Sequence, residues 1–263
     1  MTLELTLVEK KDGVGIITLN RPAKLNAMNH ALTMEIHTSL TEFEEADDVS
    51  VVIVTGTGER AFCAGGDIQE EAELSKEKNI TREDFKKWHG DIDNQWHIAN
   101  YKKPTICALN GLAYGGGAYL AASFDIRVGC DRSAFRFLAV KAGLVGGTWT
   151  LPFIVGFPMA KELLFTGRVV KAEEAYRIRL LNHLVPASEV LPFSIAMAKE
   201  IAGSYQSAVR GLKNILNHNI GRGLSEMRDY DKETTERTVT MPNPKDSFAA
   251  FLKGHEKKDG DIK

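Results

Sequence analysis

A chain of 263 residues that is 43% hydrophobic is long and apolar enough to bury one large core, which excludes disorder as a whole. A formal net charge of −2 with no long basic run excludes a general attraction to nucleic acid or to an acidic membrane surface. The three cysteines form no CxxC pair, so neither a disulfide framework nor a bound metal is expected, and a reducing cytoplasm is the expected compartment.

Residues 1–10 alternate apolar and polar side chains and include Glu4 and Glu9, unlike a cationic signal peptide with an apolar centre. Residues 3–8 and 14–19 read as two strands joined through Lys11-Asp12-Gly13. After Arg21-Pro22, Asn29 caps a predicted helix that runs to about Glu45, with Leu32, Ile36, Leu40 and Phe43 at helical spacing. The runs 51–55, 105–109 and 126–128 have the continuous apolar character of strands covered on both faces. Residues 81–101 predict a helix whose Phe85, Trp88, Ile92 and Trp96 share one face toward the core or a pocket. The uncharged stretch 104–123 is punctuated by glycines and Asn110, so it reads as strand, loop and helix, with no membrane span.

The last third changes character. Helices are expected over 151–166, 171–180, 191–202 and 208–230, with strand signal confined to 181–185, and the polar tail from Gly254 is expected to fray. Strands alternating with helices predict an α/β core over residues 1–190, followed by a helical C-terminal region over 191–263.

Two segments carry the chemistry. Phe62-Cys63-Ala64-Gly65-Gly66-Asp67-Ile68 and Asn110-Gly111-Leu112-Ala113-Tyr114-Gly115-Gly116-Gly117 each follow a β-like run and precede a helix-like one. A helix start leaves amides without intrahelical partners and carries partial positive charge, so two such ends facing one another can hold an oxyanion. Taken in isolation, a triple glycine reads as a tight strand-to-helix turn. Neither segment contains GxGxxG or GxxxxGK[ST], which leaves nucleotide binding through those fingerprints unsupported. Asp67 stands three residues before Glu70, the pattern of an N-cap with its reciprocal glutamate, so it reads as a cap and not a base. Cys63 reads as packing.

The stretch Arg21-Pro22-Ala23-Lys24-Leu25-Asn26-Ala27-Met28, then residues 61–68, then 103–111 through Gly115-Gly116-Gly117, resembles in order and spacing the crotonase family, also called enoyl-CoA hydratase/isomerase. Phe165-Thr166-Gly167-Arg168, Ala172-Glu173-Glu174-Ala175 and residues 180–185 extend the resemblance over nearly the whole chain. It implies an acyl-CoA substrate with coenzyme A as part of it, no separate cofactor, and a thioester oxygen held by the amides of Gly66 and Gly116. Carried over likewise, Ala23, Lys24, Leu25 and Ala27 line the nucleotide and pantetheine path, with Ala64, Asp67 and Ile68 beside it. The resemblance further implies a core of repeated ββα turns, with C-terminal helices that build a homotrimer or a dimer of trimers.

The family's hydratases add water with two glutamates, and this chain has neither: Tyr119 takes the first position and Ala139 the second. The segment after Ala139, Gly143-Leu144-Val145-Gly146-Gly147-Thr148, is also shorter than usual. Ordinary hydration, which needs a base for water and an acid for the α-carbon, is therefore in doubt. Tyr119 is the candidate catalytic acid, a phenol suited to donating a proton. Lys141 and Arg136 read as a substitute base and a carboxylate anchor, or as surface residues. His89, Asp93 and His97 at i, i+4 and i+8 would share a helix face, more as a polar contact surface than as metal ligands. Glu70 and Glu71 follow the first amide and read otherwise as a solvated first turn.

Overall fold

The computed structural model describes residues 3–76 and 92–238. Strands β1 (Thr6–Lys11) and β2 (Val14–Leu19) pair antiparallel, with Lys11 opposite Val14. Asp12 and Gly13 between them both take left-handed backbone, φ 53° and 78°, the geometry that matches strand twist in a two-residue turn. The remaining described strands are β3 (Val51–Gly56), β4 (Ala61–Cys63), β5 (Thr105–Leu109), β6 (Leu112–Tyr114), β7 (Ile126–Gly129), β8 (Ala134–Arg136), β9 (Val169–Lys171) and β10 (His183–Leu184). They form a six-stranded sheet, β1-β2-β3-β5-β7-β10, and a four-stranded sheet, β4-β6-β8-β9.

The described helices are α1 (His30–Glu45), α2 (Ile68–Lys76), α3 (Asn94–Ala99), α4 (Gly116–Ala121), α5 (Leu151–Val155), α6 (Phe157–Thr166), α7 (Ala172–Arg177), α8 (Val190–Ala202), α9 (Gln206–His218) and α10 (Leu224–Thr238). The chain builds successive turns: β3-β4-α2, then β5-β6-α4, then β7-β8 and the short 3-10 helix Ala139–Ala142. In each turn the first strand joins the larger sheet and the second the smaller, in the same order, with parallel pairing β3·β5·β7 and β4·β6·β8. These are the repeated ββα turns that the resemblance implies. Every residue of β3 and of β5 is buried, as strands covered on both faces must be.

Helix α1 starts where the sequence places it, since the Asn29 side chain accepts from Leu32 N at 2.9 Å. Its stripe of Leu32, Ile36, Leu40 and Phe43 is buried in the larger core, each side chain stabilising the fold by about 1.5–3 kcal/mol. By contact the chain divides into two compact units, Met1–Ser204 and Tyr205–Lys263. Helix α8 belongs to the first and packs against β3 and β5. In the second, α9 packs against α10 and leaves Leu212, Leu216 and Ile220 exposed.

Several expected elements differ. The helix over 81–101 is described only from Asn94 to Ala99, because Asp93 leaves helical geometry (φ −117°, ψ 89°) to cap it; Phe85, Trp88 and His89 lie outside the described residues. Trp96 is 59% exposed and Ile98 takes the core position instead. The single helix over 151–166 is two, parted at Gly156, whose φ of 80° no helix contains. The span 208–230 likewise divides into α9 and α10 around Gly221 and Gly223. Strand β9 adds to the strand signal expected only at 181–185. Among the described residues no helix is long and apolar enough to cross a membrane.

Candidate active site

The loop after β4 and the loop after β6 meet. A Cβ built on Gly65 would stand 2.8 Å from Tyr114 O and 3.1 Å from Gly116 N, and one built on Gly116 would stand 3.7 Å from Gly66 N. Only glycine lets these backbones approach so closely, and Gly65 also takes φ 101°, which side chains resist. Among the hydrogen bonds of the described residues, neither the Gly66 N–H nor the Gly116 N–H has an acceptor.

The first loop is held from the side by residues 25–28. Ala64 N donates to Leu25 O at 3.0 Å, Met28 N to Gly65 O at 2.7 Å, and Asp67 N to Met28 O at 3.0 Å. Leu25 and Asn26, both at φ 53°, turn the chain into this register, and the buried Asn26 amide donates to Thr57 O and Ala61 O at 3.0 and 2.9 Å. Arg21 closes the arrangement: its guanidinium donates to Ala27 O and reaches Asp67 Oδ2 at 2.9 Å. Asp67 Oδ1 also accepts from Glu70 N at 3.4 Å, so it caps α2 as expected, but its amide bonds Met28 and not a reciprocal Glu70. Burial alone would raise the Asp67 pKa; the Arg21 hydrogen bond, the Glu70 amide and the charges of Arg21 and Lys24 outweigh it and hold the carboxyl below its ordinary range.

A cavity of about 670 Å³ opens beside the glycines, with Ala64, Gly65, Gly66, Gly115, Gly116 and Tyr119 on its wall. Clefts of about 560 and 610 Å³ around Lys171 and Glu173 contain neither glycine segment. Tyr119, on α4, is 7% exposed and lays its ring against Phe137, centroids 5.4 Å apart. Ala139 N donates to its hydroxyl at 3.1 Å, which directs the phenol's own hydrogen elsewhere. Burial raises the Tyr119 pKa and the Ala139 bond offsets only part of that, so the group is a neutral donor at physiological pH. Gly146 and Gly147 back the ring; a Cβ on Gly147 would fall 2.6 Å from it.

The other sequence candidates scatter. Ile68 lines the cavity and is largely exposed, Ala27 is buried, and Ala23 and Lys24 sit on the exposed 3-10 helix Pro22–Lys24, where Lys24 Nζ donates to Gln69 Oε1. Lys141 is exposed, and Arg136 Nε donates to Gly167 O at 2.9 Å; neither lines the cavity. Cys63 is fully buried and its thiol is pushed up to about 12 by burial, so it is inert packing. Glu70 is not on the cavity wall, and the Glu71 side chain lies outside the described residues. Asp93 and His97 do not share a helix face: Asp93 accepts from Trp96 N at 3.0 Å as the cap of α3, while His97 packs on His37. No group of three potential metal ligands occurs among the described residues.

Sequence reasoning expected Ile92 to face the core or a pocket, and Ile92 lines this cavity; it missed Asn94, Gln95 and Trp149, which line it too. Trp149 carried a signal, an aromatic beside a glycine-rich loop, whereas a continuous helix over 81–101 concealed Asn94 and Gln95.

The enoyl-CoA hydratase/isomerase family model matches residues 9–261. A protein of Mycobacterium bovis named "Probable enoyl-CoA hydratase echA8" is 34% identical over 255 residues, 96% of each chain. The short-chain-enoyl-CoA hydratase of Clostridium acetobutylicum is 34% identical over 257 residues, again 96% of each. A crystal structure of enoyl-CoA hydratase from Bacillus anthracis superposes with a TM-score of 0.87 at 29% identity, over 95% of this chain and 97% of that one. With the two-sheet spiral and the C-terminal helices already seen, these likenesses establish that the chain belongs to the enoyl-CoA hydratase/isomerase family and has the crotonase fold.

Proposed function

We propose that this protein binds an acyl-CoA thioester in the 670 Å³ cavity and polarises its carbonyl between the amides of Gly66 and Gly116. The observation that carries this reading is the meeting of two glycine loops whose N–H groups have no acceptor among the described residues, at the wall of that cavity. Negative charge grows on the thioester oxygen as the proton of the neighbouring carbon passes to solvent water, which also reprotonates Tyr119 after it gives its proton, so the amides bind the enolate more strongly than the ester. Each such donor contributes about 2.7–4 kcal/mol. Tyr119 is the proton donor, its O–H left free by the bond it accepts from Ala139. The nucleotide lies along Ala23, Lys24, Leu25 and Ala27, with Ala64, Asp67 and Ile68 beside it.

Water addition by the family's two glutamates is in doubt, since positions 119 and 139 carry a phenol and a methyl group. Among the described residues of the wall the carboxylate is Asp93, and it caps a helix. A double-bond shift, or hydrolysis of a ring or C–C bond, uses the same enolate without those glutamates. The exposed Leu212, Leu216 and Ile220 support assembly as a homotrimer or dimer of trimers, and three free buried cysteines support a cytoplasmic setting.

The test is incubation with a panel of acyl-CoA esters in heavy water, followed by mass spectrometry. Deuterium entering the α or γ carbon is the expected result. Binding without exchange would support a second reading, a non-catalytic acyl-CoA-binding protein, which the loss of both glutamates favours.

A further inference from the structure

Gly147 stands where the Tyr119 ring leaves room for glycine alone. A Cβ built there would lie 2.6 Å from Tyr119 Cε1 and 2.8 Å from Cδ1, with Leu164 Cδ2 at 3.4 Å. Ordinary contact begins near 3.4 Å, so a methyl group would force ring and loop apart by about 0.8 Å. At Gly146 the same atom would meet the ring at 3.4 Å, within ordinary contact, and the backbone there is not left-handed. The demand for glycine is therefore specific to residue 147, which is buried and takes φ 71°.

The ring is not free to yield. It is 7% exposed, packs on Phe137 with centroids 5.4 Å apart, and its hydroxyl accepts from Ala139 N at 3.1 Å. A phenol moves as one rigid plate, so pushing Cε1 and Cδ1 aside carries the hydroxyl away from the Ala139 amide. Tyr119, Ala139, Gly146 and Gly147 all line the same cavity. The position of the hydroxyl relative to a bound molecule thus depends on the bare backbone of this loop. A misplacement of about 1 Å costs a reaction on the order of a hundredfold.

We propose that Gly147 is a positioning residue: the absence of a side chain there seats the Tyr119 phenol against the Ala139 amide and so sets where its proton is delivered. The proposal rests on the reading of Tyr119 as the proton donor and extends it to a residue that has no acid or base of its own.

The test compares the unaltered full chain with Gly147→Ala, Tyr119→Phe and the double variant. Deuterium exchange from heavy water into hexanoyl-CoA and crotonyl-CoA is expected to fall about a hundredfold in Gly147→Ala. Adding Gly147→Ala to Tyr119→Phe is expected to cost no more than about threefold further, since both act through one hydroxyl. Amide hydrogen exchange, read by NMR of alanine-labelled protein, gives a signature that general weakening of the fold would not single out. In Gly147→Ala the Ala139 amide is expected to lose protection to the level of Tyr119→Phe, while Ala108 in β5 keeps its own. Three results overturn the proposal: exchange into the esters unchanged in Gly147→Ala while Tyr119→Phe is impaired, a hundredfold loss repeated in full on top of Tyr119→Phe, or an Ala139 amide that stays protected in Gly147→Ala. Should Gly147→Ala fail to fold, the same change in a Tyr119→Val background decides. A folded protein then traces the failure to the ring and supports the proposal, whereas an unfolded one traces it to the loop backbone and overturns it. If the unaltered protein exchanges neither ester, or Tyr119→Phe exchanges as fast as it does, the donor reading falls separately, and the Ala139 amide alone decides whether Gly147 seats the phenol.

Discussion

The Ala139 amide donates to the Tyr119 hydroxyl at 3.1 Å, so the two positions where the family's hydratases carry glutamates are bonded to each other. A carboxylate pair would repel across this gap; a phenol and a main-chain N–H attract. The bond orients the ring and leaves one hydrogen on the phenol oxygen to be given to a bound molecule.

Tyr119→Phe keeps the packing on Phe137 and removes only the hydroxyl, leaving the Ala139 amide unpaired. We expect hydrogen–deuterium exchange into bound acyl-CoA to fall by about a hundredfold, the scale of a general acid, with a stability loss of about 1 kcal/mol by urea titration. Burial raises the Tyr119 pKa above its ordinary value of about 10, so the donor stays protonated through neutral pH. Exchange by the unaltered protein should therefore not decline between about pH 7 and 9 through loss of this proton. A decline centred there would remove Tyr119 as the acid.

Neighbouring glycines should separate fold from function. A Cβ on Gly117 would lie 2.2 Å from Cys63 O and 2.8 Å from Cys63 C, a clash with backbone that only a shift of the loop relieves. Gly117→Ala should lower stability by about 3 kcal/mol or more, read as an earlier urea midpoint. On Gly116 the same methyl meets Met28 Cε at 3.0 Å, the far end of a flexible side chain, and stands 3.7 Å from Gly66 N. Gly116→Ala should fold, yet lose about a hundredfold or more in exchange because the methyl occupies the space between the amides.

The Arg21–Asp67 pair, 2.9 Å apart with side chains 15% and 9% exposed, braces the loop that presents Gly66. Asp67→Asn should cost about 2 kcal/mol, less than the ~3–5 expected when a fully buried pair loses one partner, because Arg21 keeps Ala27 O. The Asp67 pKa is lowered in the folded state, so the unfolded chain binds its proton first as the medium acidifies. Its contribution is complete above the unfolded value of about 3.9 and is lost as pH falls from there through the lower folded value. Stability measured against pH should show a shallower acid limb in Asp67→Asn than in the unaltered protein.

His97 offers a second acid response in a different window. Burial, then the charges of His37 and Lys102, lower its pKa, with Glu44 opposing. The ring packs between His37 and Tyr101, centroids 5.0 and 5.5 Å away, and its Nδ1 has no partner. The unfolded chain then takes up the proton near pH ~6.5 while the folded chain resists, so stability should drop as pH falls through that value. His97→Gln should flatten the slope between about pH 7 and 5 in thermal unfolding scans.

Local pattern was enough for much of this molecule. The stripe Leu32, Ile36, Leu40 and Phe43 identified α1, the apolar runs identified β3, β5 and β7, and the Asp12-Gly13 turn identified the first hairpin. Residues near in sequence settle such features through side-chain period and left-handed backbone, which any segment carries by itself. Local pattern failed at Asp93 and at Gly156, where one residue's backbone leaves the helical geometry that periodicity alone would continue.

Sequence by itself determined the family, the glycine segments and the absence of both glutamates, because these are facts of residue identity and spacing. Only the tertiary structure decided that Gly65 and Gly116 touch, that Ala139 reaches Tyr119, and that Asn94 Nδ2 donates to Thr33 O. Each of these depends on how one ββα turn stacks on the next, which joins residues 20 to 61 positions apart by close packing. No repeating pattern along the chain records that distance.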